Sequence, residues 1–531
     1  MKIGIEKLSL PARSLSANAD QELIPHIARW CGISQEEVFS YKILRRSIDA
    51  RCKSDIRVIY NLNAEISSAA HPNYRLENPS PEMNYEVPVY RYTSIDEHPI
   101  VIGAGPGGLF CALILALAGA KPVILERGKE VERRRDDIDN FFDNRELNEN
   151  SNLLYGEGGA GAWSDGKLFT RVKDPRIHFV LQEMIAAGAP EAIAYYSHPH
   201  VGSDLLPEVI ASLREKIIDL GGIFRWDTLV TDLFVKDGVC KGVILENGET
   251  LEAPAVIVAA GHSARNFILA QIRAGASYRM KGFQIGSRIE HPQEFINFCQ
   301  FGESEMIPVL GNAEDNMVSH PDVRRRIDGA TTFCMCPGGE VIAATPERGR
   351  LCTNGMSNSG RDGSFANSAI VTTISEKTFR TPEEAYAFLD SIEKRSFEEG
   401  GADYGCPAQR AADFIRSKTG TLPRHTSWNF GLKSAAVDSI LPEKVSAAIR
   451  RALLHFDSIA PGFIRYGTIL GTETRVSSPV RFERDEVTRE NPALANFYPV
   501  GEGAGLAGGI TSAAVDGILS AEGYLRKHAV K

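Results

Sequence analysis

In the first 70 residues, hydrophobic and polar positions follow a strand-like alternation in some stretches and a helix-like period in another, and together they predict a small α+β unit. Alternating apolar positions predict strands over residues 2–10, 41–50 and 54–62. Between the first two strands, apolar residues recur on one face of residues 20–30, which predicts a helix. Residues 71–90 then hold four prolines and little periodicity, so we interpret them as a linker and place a domain boundary near residue 95.

The stretch from Pro99 to Ala120 carries no charge and is long enough to cross a bilayer on hydropathy alone. Four glycines and a proline interrupt it, which favours a strand, a glycine turn and a buried helix over a membrane span. A strand over 100–102, a helix over 109–118 and a strand over 122–125 would together form a βαβ unit.

Further along, short apolar runs over 229–235, 239–246 and 250–253 predict three strands, because Asp-Gly and Asn-Gly turns separate them. An apolar strand over 255–260 follows. The region from 277 to 440 is mixed and gives weaker signals. The last part of the chain predicts a strand over 496–500, a glycine cluster and a helix from 510 to 526.

Composition narrows the class of protein. The chain has 531 residues, 43% apolar and 24% charged, which is typical of a globular protein of about three domains. A net charge of −9 disfavours a nucleic-acid-binding protein. The nine cysteines are scattered and odd in number, which favours a reducing compartment, and the first residues show no signal peptide, so a cytoplasmic location is expected.

The segment Gly103 to Gly108 matches G-x-G-x-x-G, and its context makes the match informative. It follows an apolar strand and opens an apolar helix. In such a turn Gly103 permits the sharp bend, Gly105 lets the backbone approach a pyrophosphate, and Gly108 lets helix and strand pack closely. Glu126, at the end of the second strand, is placed to accept hydrogen bonds from an adenosine ribose, and Arg127 beside it is also predicted to bind the cofactor.

The turn by itself fits NAD and FAD equally, and features elsewhere favour FAD. The three hairpin-linked strands followed by a strand ending in Gly261 have the crossover layout of FAD domains of the glutathione-reductase type. The strand over 496–500 ends in Gly501 and Glu502, where such flavoproteins carry a Gly-Asp that places a carboxylate on the ribityl chain. The longer side chain of Glu502 departs from that pattern.

The start of the last helix is the third feature that favours a flavin. Gly508, Gly509 and Ile510 open this helix. A helix N-terminus here would stabilise the negative charge that collects on the flavin when it is reduced.

At this point the sequence resembles the large bacterial FAD-dependent dehydrogenases, a mostly uncharacterised family with a glutathione-reductase-type FAD fold. The resemblance covers most of residues 95–531 and rests on these stretches: Glu126 to Gly128, Tyr155 to Lys167, Phe333 to Gly339, Thr353 to Ser357 and Gly501 to Gly505. It implies FAD and redox chemistry but no particular substrate.

The expected fold class is α/β. It comprises a small N-terminal α+β domain with its linker (1–94), a Rossmann-like FAD-binding domain in two parts (95–276 and 441–531) and a discontinuous α+β substrate domain (277–440). The expected partner is a small-molecule substrate, with no nucleic acid and no membrane span.

The loop from Gly156 to Lys167 concentrates five glycines, which lets backbone N–H groups reach a ligand. We predict that Gly158, Gly159 and Lys167 bind the cofactor, and that Asp165 and Lys167 are candidate catalytic residues. We favour the cofactor-binding interpretation of this loop, although Asp165 and Lys167 could instead form a solvated ion pair that contributes little.

Arg134 could reach the pyrophosphate or lie on an exposed helix face, and the sequence favours neither. Cys334 and Cys336 could form a thiol relay, or a metal site with His320 or His291, but a buried strand explains them better and no metal is predicted. Polar loop residues in the presumed substrate region, without an assigned role, are Asn358, Arg361 and His425.

The sequence therefore predicts an FAD-dependent oxidoreductase, a dehydrogenase or reductase, that passes a hydride or electrons between an unknown small-molecule substrate and flavin N5. Because no second G-x-G-x-x-G follows a strand, NAD(P)H would dock only transiently. Three alternatives stay open: an FAD-dependent monooxygenase, an RNA-modifying flavoenzyme and a non-catalytic FAD-binding regulator.

Overall fold

A computed structural model describes residues 1–16, 18–67, 78–79, 85–92, 97–302, 329–332 and 335–530. In chain order its strands are β1 (Lys2–Pro11), β2 (Val38–Asp49), β3 (Arg57–Ile66), β4 (Arg91–Tyr92), β5 (Ile100–Ile102), β6 (Val123–Leu125), β7 (Ile223–Arg225), β8 (Val230–Lys236), β9 (Val239–Leu245), β10 (Thr250–Glu252), β11 (Val256–Val258), β12 (Tyr278–Met280), β13 (Phe283–Pro292), β14 (Ala330–Thr332), β15 (Glu340–Ala343), β16 (Thr353–Met356), β17 (Phe365–Ile374), β18 (Cys406–Arg410), β19 (Leu432–Ser434), β20 (Thr468–Glu473), β21 (Val480–Phe482), β22 (Phe497–Pro499) and β23 (Ala529–Val530).

The α-helices span Ile24–Cys31, Pro106–Leu117, Val131–Asn144, Arg176–Ala186, Leu206–Asp219, Arg265–Arg273, Gln293–Phe301, Pro382–Glu399, Ala411–Arg416, Val437–Ile440, Glu443–Ile459, Phe463–Tyr466 and Ile510–His528. Helices and strands are interspersed throughout, so the predicted mixed α/β class is confirmed.

The N-terminal unit is a three-stranded antiparallel sheet in the order β1-β3-β2, with one helix, Ile24–Cys31, beside it. Its central strand alternates strictly: the even-numbered residues of β3 from Val58 to Ile66 are buried and most of the others are not. That alternation is the pattern from which the strand was predicted, because successive side chains of a strand point to opposite faces.

A parallel sheet in the order β22-β11-β5-β6-β7 forms the centre of the molecule. Its strands are short and almost wholly apolar, as expected when both faces of a parallel sheet are covered. On one face the helix Pro106–Leu117 packs against the helix Ile510–His528 so closely that a Cβ at Gly517 would lie 2.0 Å from the carbonyl oxygen of Gly107. On the other face lies the three-stranded meander β8-β9-β10.

The uncharged segment from Pro99 to Ala120 therefore supplies β5, a glycine turn and a helix buried within the protein. Among the described residues no helix combines the length and the hydropathy that a membrane crossing requires.

A second, six-stranded sheet has the order β14-β17-β13-β20-β18-β19. Its strand β20 lies well beyond residue 440, and the helix Glu443–Ile459 packs against β13, β14 and β17. The predicted boundary at 440 therefore falls inside this unit, and residues 443–473 belong with the second sheet. The sequence pattern missed this because β20 pairs with strands far away along the chain.

The two sheets are joined through the carboxyl ends of the parallel strands. Because parallel strands all end at the same edge of a sheet, the segments after β5, β6, β11 and β22 lie together there. These segments contain Gly103, Glu126, Gly261 and Gly501, so the edge brings these four predicted ligand-binding positions together.

Stability should fall in mild acid because of His291, a fully buried residue on β13 whose Nε2 lies 2.8 Å from the carbonyl oxygen of Phe463. Burial lowers the pKa of His291 from 6.5 to about 4. Between these values the unfolded state binds more protons, so the free energy of unfolding should fall by up to about 3 kcal/mol as the pH is lowered through this range. Denaturant unfolding at a series of pH values measures this.

The variant His291→Gln should show a shallower dependence on pH over the same range, because one titrating group has been removed. His455→Gln is the matched control, since His455 is exposed. Equal slopes in the two variants would contradict the assignment to His291.

Candidate functional site

The glycine turn after β5 is held by contacts that only glycine allows. Gly103 has a φ of +95°, and a Cβ on it would lie 2.6 Å from the carbonyl oxygen of Ala259. A Cβ on Gly108 would lie 1.8 Å from the carbonyl oxygen of Gly103. Gly105 caps the helix that follows and Pro106 occupies its first turn, where a missing N–H costs nothing. The turn thus brings the start of the helix directly over the end of β5.

A cavity of about 520 Å³ begins at this turn and extends to the second sheet. Its volume is typical of pockets for small molecules and cofactors. Twelve of the predicted cofactor-binding residues line it: Gly103, Gly105, Glu126, Arg127, Gly159, Lys167, Gly261, Gly501, Glu502, Gly508, Gly509 and Ile510. Residues from three distant parts of the chain therefore share one cavity.

Three predicted residues do not line the cavity: Gly108, Gly158 and Arg134. Gly108 packs the helix against the turn, as its predicted packing role requires. Gly158 lies against the side chain of Ile210: a Cβ placed on Gly158 would be only 2.4 Å from Cδ1 of Ile210. This face of the loop therefore packs on the helix Leu206–Asp219, and Gly158 does not border the cavity as a cofactor contact would require.

Arg134 is also a correction, since it neither reaches the cavity nor lies on an exposed helix face. Its guanidinium is fully buried, donates to the carbonyl oxygens of Asn152 and Glu157, and lies over the ring of Trp163 at 4.4 Å. Arg134 therefore supports the glycine-rich loop from behind, where its charge is balanced by carbonyl dipoles and an aromatic face.

Glu126 joins the glycine turn to the glycine-rich loop. Its carboxylate accepts hydrogen bonds from the backbone N–H of Ala104 at 2.8 Å, and from those of Gly128 and Gly156 at 3.0 Å each. A carboxylate has about four acceptor positions, so one position remains for a ribose hydroxyl. Next to it, Arg127 stacks on the ring of Tyr155 at 4.0 Å.

Glu502 folds back over the start of the last helix, so that a Cβ on Gly508 would meet its Oε2 at 2.1 Å. Its Oε1 lies 3.9 Å from Nζ of Lys281 and has no hydrogen-bond partner among the described residues, although it is buried. Burial raises the pKa of Glu502, while Lys281 opposes that shift. An unsatisfied acceptor in the wall of the cavity is a position for a hydroxyl donor from a ligand.

Asp165 and Lys167 form a buried cluster with Arg361. Arg361 donates to Asp165 from both Nε and Nη2, at 3.0 and 2.5 Å, and Nζ of Lys167 lies 3.2 Å from the same carboxylate. Ser357 also donates to it. Burial alone would raise the pKa of Asp165, but Lys167 and Arg361 outweigh burial and hold the pKa below its usual value. This is not a solvated surface pair: two cations share one carboxylate.

Sequence reasoning missed a second polar cluster on the wall of the cavity, formed by residues of the second sheet. Arg288 on β13 is paired with Glu473 on β20 through two contacts of 2.7 and 2.9 Å. It also donates to the side-chain oxygens of Asn354 and Asn367 at 3.1 and 2.8 Å. The available signal was an arginine between the apolar positions Ile285 and Ile289, because a charged residue is rarely buried in a strand unless it is paired.

Two more lining residues were missed, His262 and Arg475. Burial lowers the pKa of His262 to about 4, so its ring is neutral at physiological pH. The ring donates to the backbone of Arg475, while its Nε2 has no hydrogen-bond partner among the described residues. His262 directly follows Gly261, and that position after a buried strand was the signal available in the sequence.

Of the remaining candidate residues that the structure describes, Cys336 lines the cavity and the others do not. Cys336 is buried in the wall of the cavity, with its Sγ 3.7 Å from Nζ of Lys167. His291 bonds to a backbone oxygen, and no cluster able to hold a metal occurs in the described part of the chain. Asn358 and His425 are exposed and away from the cavity. Cys334 and His320 lie outside the described residues.

These features fit an extended dinucleotide such as FAD. A Cβ on Gly105 would meet only Gly159 Cα, at 3.9 Å, and one on Gly261 would meet nothing within 4 Å, so both glycines border open cavity. The cavity also offers the N–H groups in the first turns of two helices, Pro106–Leu117 and Ile510–His528, which suit phosphate and a reduced flavin ring. The unsatisfied oxygen of Glu502 and the unsatisfied nitrogen of His262 suit hydroxyl donors.

Similarity to known proteins shows which family the chain belongs to. A family model described as "FAD-dependent protein, C-terminal domain-like" matches residues 282–476, and one described as "Domain of unknown function (DUF8436)" matches residues 5–65. An uncharacterized protein of Clostridium beijerinckii (strain ATCC 51743 / NCIMB 8052) is 40% identical over 513 residues, which cover 94% of this chain and 95% of the relative. The chain belongs to the bacterial FAD-dependent family that this relative represents. The predicted family and its cofactor, FAD, are confirmed.

Solved structures with a similar chain trace include CtdE in complex with FAD, with 13% identity over 80% of this chain and 82% of that one and a TM-score of 0.30. Iminodiacetate oxidase from Chelativorans sp. BNC1 has 14% identity, coverage of 80% and 94% and a TM-score of 0.33. The myxobacterial chondrochloren halogenase CndH has 13% identity, coverage of 80% and 72% and a TM-score of 0.35. Likenesses this weak leave the reaction and the substrate open.

We expect the variant Gly105→Val to purify without FAD. The fold has room for the side chain, but the side chain would extend into the cavity where a pyrophosphate must approach the backbone. The measurement is the ratio of visible flavin absorbance to protein absorbance. Gly360→Val is the control, because Gly360 is exposed and away from the cavity. Full flavin content in Gly105→Val would contradict the assignment of the turn.

Proposed function

We propose that the protein is an FAD-dependent oxidoreductase, a dehydrogenase or reductase that passes a hydride or an electron pair between a small-molecule substrate and the flavin. One observation carries the proposal: a single cavity joins the glycine turn, the start of the last helix and the polar clusters of the second sheet. FAD supplies the two-electron chemistry when it is bound, and the protein supplies binding, orientation and electrostatics.

The proposed fold is a Rossmann-like FAD-binding domain of the glutathione-reductase type. The parallel sheet and its three-stranded meander support this, together with the glycine turn at the first strand. In this division residues 1–94 are an N-terminal domain, and the second sheet, from about residue 277 to 476, is a substrate domain inserted between two parts of the FAD-binding domain.

In this proposal the two ends of the cavity have different roles. Gly103, Gly105 and the N–H groups at the start of the helix Pro106–Leu117 hold the pyrophosphate. Glu126 accepts a hydrogen bond from the adenosine ribose. The start of the helix Ile510–His528 faces the part of the flavin that becomes negative on reduction, and the second sheet faces the substrate.

Lys167 and Asp165 carry the proposed electrostatic role. With Arg361 they form a group of two cations and one carboxylate, so the wall of the cavity keeps a net positive charge there. In a buried site such a charge acts strongly on a nearby anion. Thr511 holds this loop against the last helix by donating to the carbonyl oxygen of Leu168 at 2.7 Å. Lys167 and the helix start thus act on the same region.

The buried pair Arg288–Glu473 favours an enzyme over a non-catalytic regulator. Such a pair contributes little to stability, because desolvation offsets the attraction, so its place in the cavity wall suits binding or orienting a substrate. The net charge of −9 opposes an RNA-modifying enzyme. A monooxygenase remains the second candidate, since the same cavity would serve it. Transient docking of NAD(P)H and a cytoplasmic location remain predictions.

Removing the charge of Lys167 should make the bound flavin harder to reduce. In Lys167→Met we expect the midpoint potential to become more negative by some tens of millivolts, because one positive charge near the reduced cofactor is lost. Redox titration against a reference dye measures it. Lys129→Met is the control, since Lys129 pairs with Asp137 and does not line the cavity. Equal potentials in both variants would contradict the role of Lys167.

A reoxidation experiment tests the reaction class. The purified FAD protein is reduced anaerobically with dithionite and mixed with oxygen or with candidate organic acceptors. A dehydrogenase or reductase should be reoxidised quickly by an organic acceptor. Hydroxylated product formed with oxygen would identify a monooxygenase instead, and slow reoxidation by every acceptor would favour the regulator.

A further inference from the structure

The N-terminal sheet is attached to the rest of the protein through backbone hydrogen bonds at one edge. The N–H of Arg46 on β2 donates to the carbonyl oxygen of Tyr195 at 2.7 Å, and the N–H of Ser197 donates to the carbonyl oxygen of Arg46 at 2.9 Å. The hydroxyl of Ser197 donates to the same oxygen at 2.8 Å. Residues 195–197 thus pair with β2 like a short extra strand.

Asp20 strengthens this attachment from the N-terminal side. Its carboxylate accepts hydrogen bonds from the hydroxyls of Tyr195 and Tyr196 at 3.2 and 3.3 Å, and from that of Tyr60 at 2.8 Å. It also pairs with Arg46 at 3.1 Å. One carboxylate therefore ties two strands of the N-terminal sheet to the pair Tyr195 and Tyr196.

The same stretch of chain continues directly to the loop that carries Lys167. The N–H of Leu168 donates to the carbonyl oxygen of Pro199 at 2.8 Å, and the N–H of Val201 donates to that of Gly166 at 3.2 Å. His200 and Lys167 lie opposite each other in this antiparallel bridge. Only a few residues separate the attachment to β2 from the pairing with Lys167.

The far end of the stretch reaches the partners of Asp165. The N–H of Ser203 donates to the carbonyl oxygen of Ser357 at 3.0 Å, and the hydroxyl of Ser357 donates to the carboxylate of Asp165. Residues 195–203, which we call the connecting segment, therefore contact the N-terminal sheet at one end and both sides of the Asp165 and Lys167 cluster at the other.

We propose that Tyr195 and Tyr196 are positioning residues for Lys167, and that the docked N-terminal sheet fixes the cavity loop through the connecting segment. Only His198 lies between the bonds of Ser197 and Pro199, and its ring packs against that of Phe169 at 5.1 Å, so a displacement at one attachment is transmitted to the other through packed and hydrogen-bonded groups. The proposal gives the N-terminal unit a task in the flavin site. It rests on the proposed function for the effect on the cofactor, but not for the mechanical connection.

The test uses the full-length FAD-loaded protein and the double variant Tyr195→Phe and Tyr196→Phe. This change removes two hydroxyls from the connecting segment and leaves Arg46 and Tyr60 to hold Asp20. Tyr41→Phe is the matched control, because the hydroxyl of Tyr41 donates to the backbone oxygen of Asp20 within the N-terminal unit. Two measurements are made: hydrogen exchange of the Leu168 amide and the midpoint potential of the flavin.

We expect the Leu168 amide to exchange about tenfold faster in the double variant, the size expected from one or two lost hydrogen bonds, and to be unchanged in Tyr41→Phe. The midpoint potential should become more negative, as is expected for Lys167→Met. If the Ser197 amide exchanges faster but that of Leu168 does not, the connection is absent and the proposal is overturned.

Faster exchange of the Leu168 amide without a change in midpoint potential would separate the two proposals. The connecting segment would then position the loop, whereas the electrostatic role of Lys167 in the proposed function would fail. If the double variant does not fold, the single variant Tyr196→Phe gives the same comparison with a smaller expected change. Equal exchange of Leu168 in Tyr196→Phe and Tyr41→Phe would overturn the proposal.

Discussion

The site depends on the close contact between Gly108 and Gly103. With no Cβ between them, the helix Pro106–Leu117 starts directly above the end of β5, and its free N–H groups face the cavity. Any larger residue at 108 would have to displace the carbonyl of Gly103, which lies 1.8 Å from its Cβ position. Because β5 is the middle strand of the parallel sheet, such a displacement would reach both neighbouring strands, and with them Glu126 and Gly261.

The charges around the cavity are arranged in groups that are nearly complete. Arg288 is satisfied by Glu473 and two asparagines, and Asp165 by two cations and a serine. Fully bonded clusters in a low dielectric hold fixed positions, so they can act on a ligand without first reorganising. In the described part of the chain, Glu502 and His262 each keep one buried acceptor atom in the cavity wall without a hydrogen-bond partner, and a ligand that donates to them would gain a bond there.

The sequence was informative where structure is local and failed where contacts are distant. The βαβ unit, the meander and the last helix could be predicted because periodicity and turn residues act over a few positions. Arg134 was misjudged because its partners, the carbonyls of Asn152 and Glu157, lie about twenty residues away in a loop of irregular shape. The Arg288–Glu473 pair spans 185 residues, and the boundary at 440 failed because β20 returns to a sheet begun at β13. A dinucleotide could be foreseen because its glycine turn is local, and FAD was favoured by the meander and the C-terminal strand and helix, but the residues of the substrate wall could not be foreseen.

The packing of Gly517 against Gly107 has a consequence for biosynthesis. The central sheet takes its edge strand β22 and the covering helix Ile510–His528 from a part of the chain that is synthesised after all the other strands of that sheet. The last strand of the second sheet ends at Glu473, so that sheet can close earlier, whereas the nucleotide pocket stays open on one side until the helix Ile510–His528 has been made. Flavin capture therefore follows the synthesis of this helix, and translation products truncated before it would be colourless.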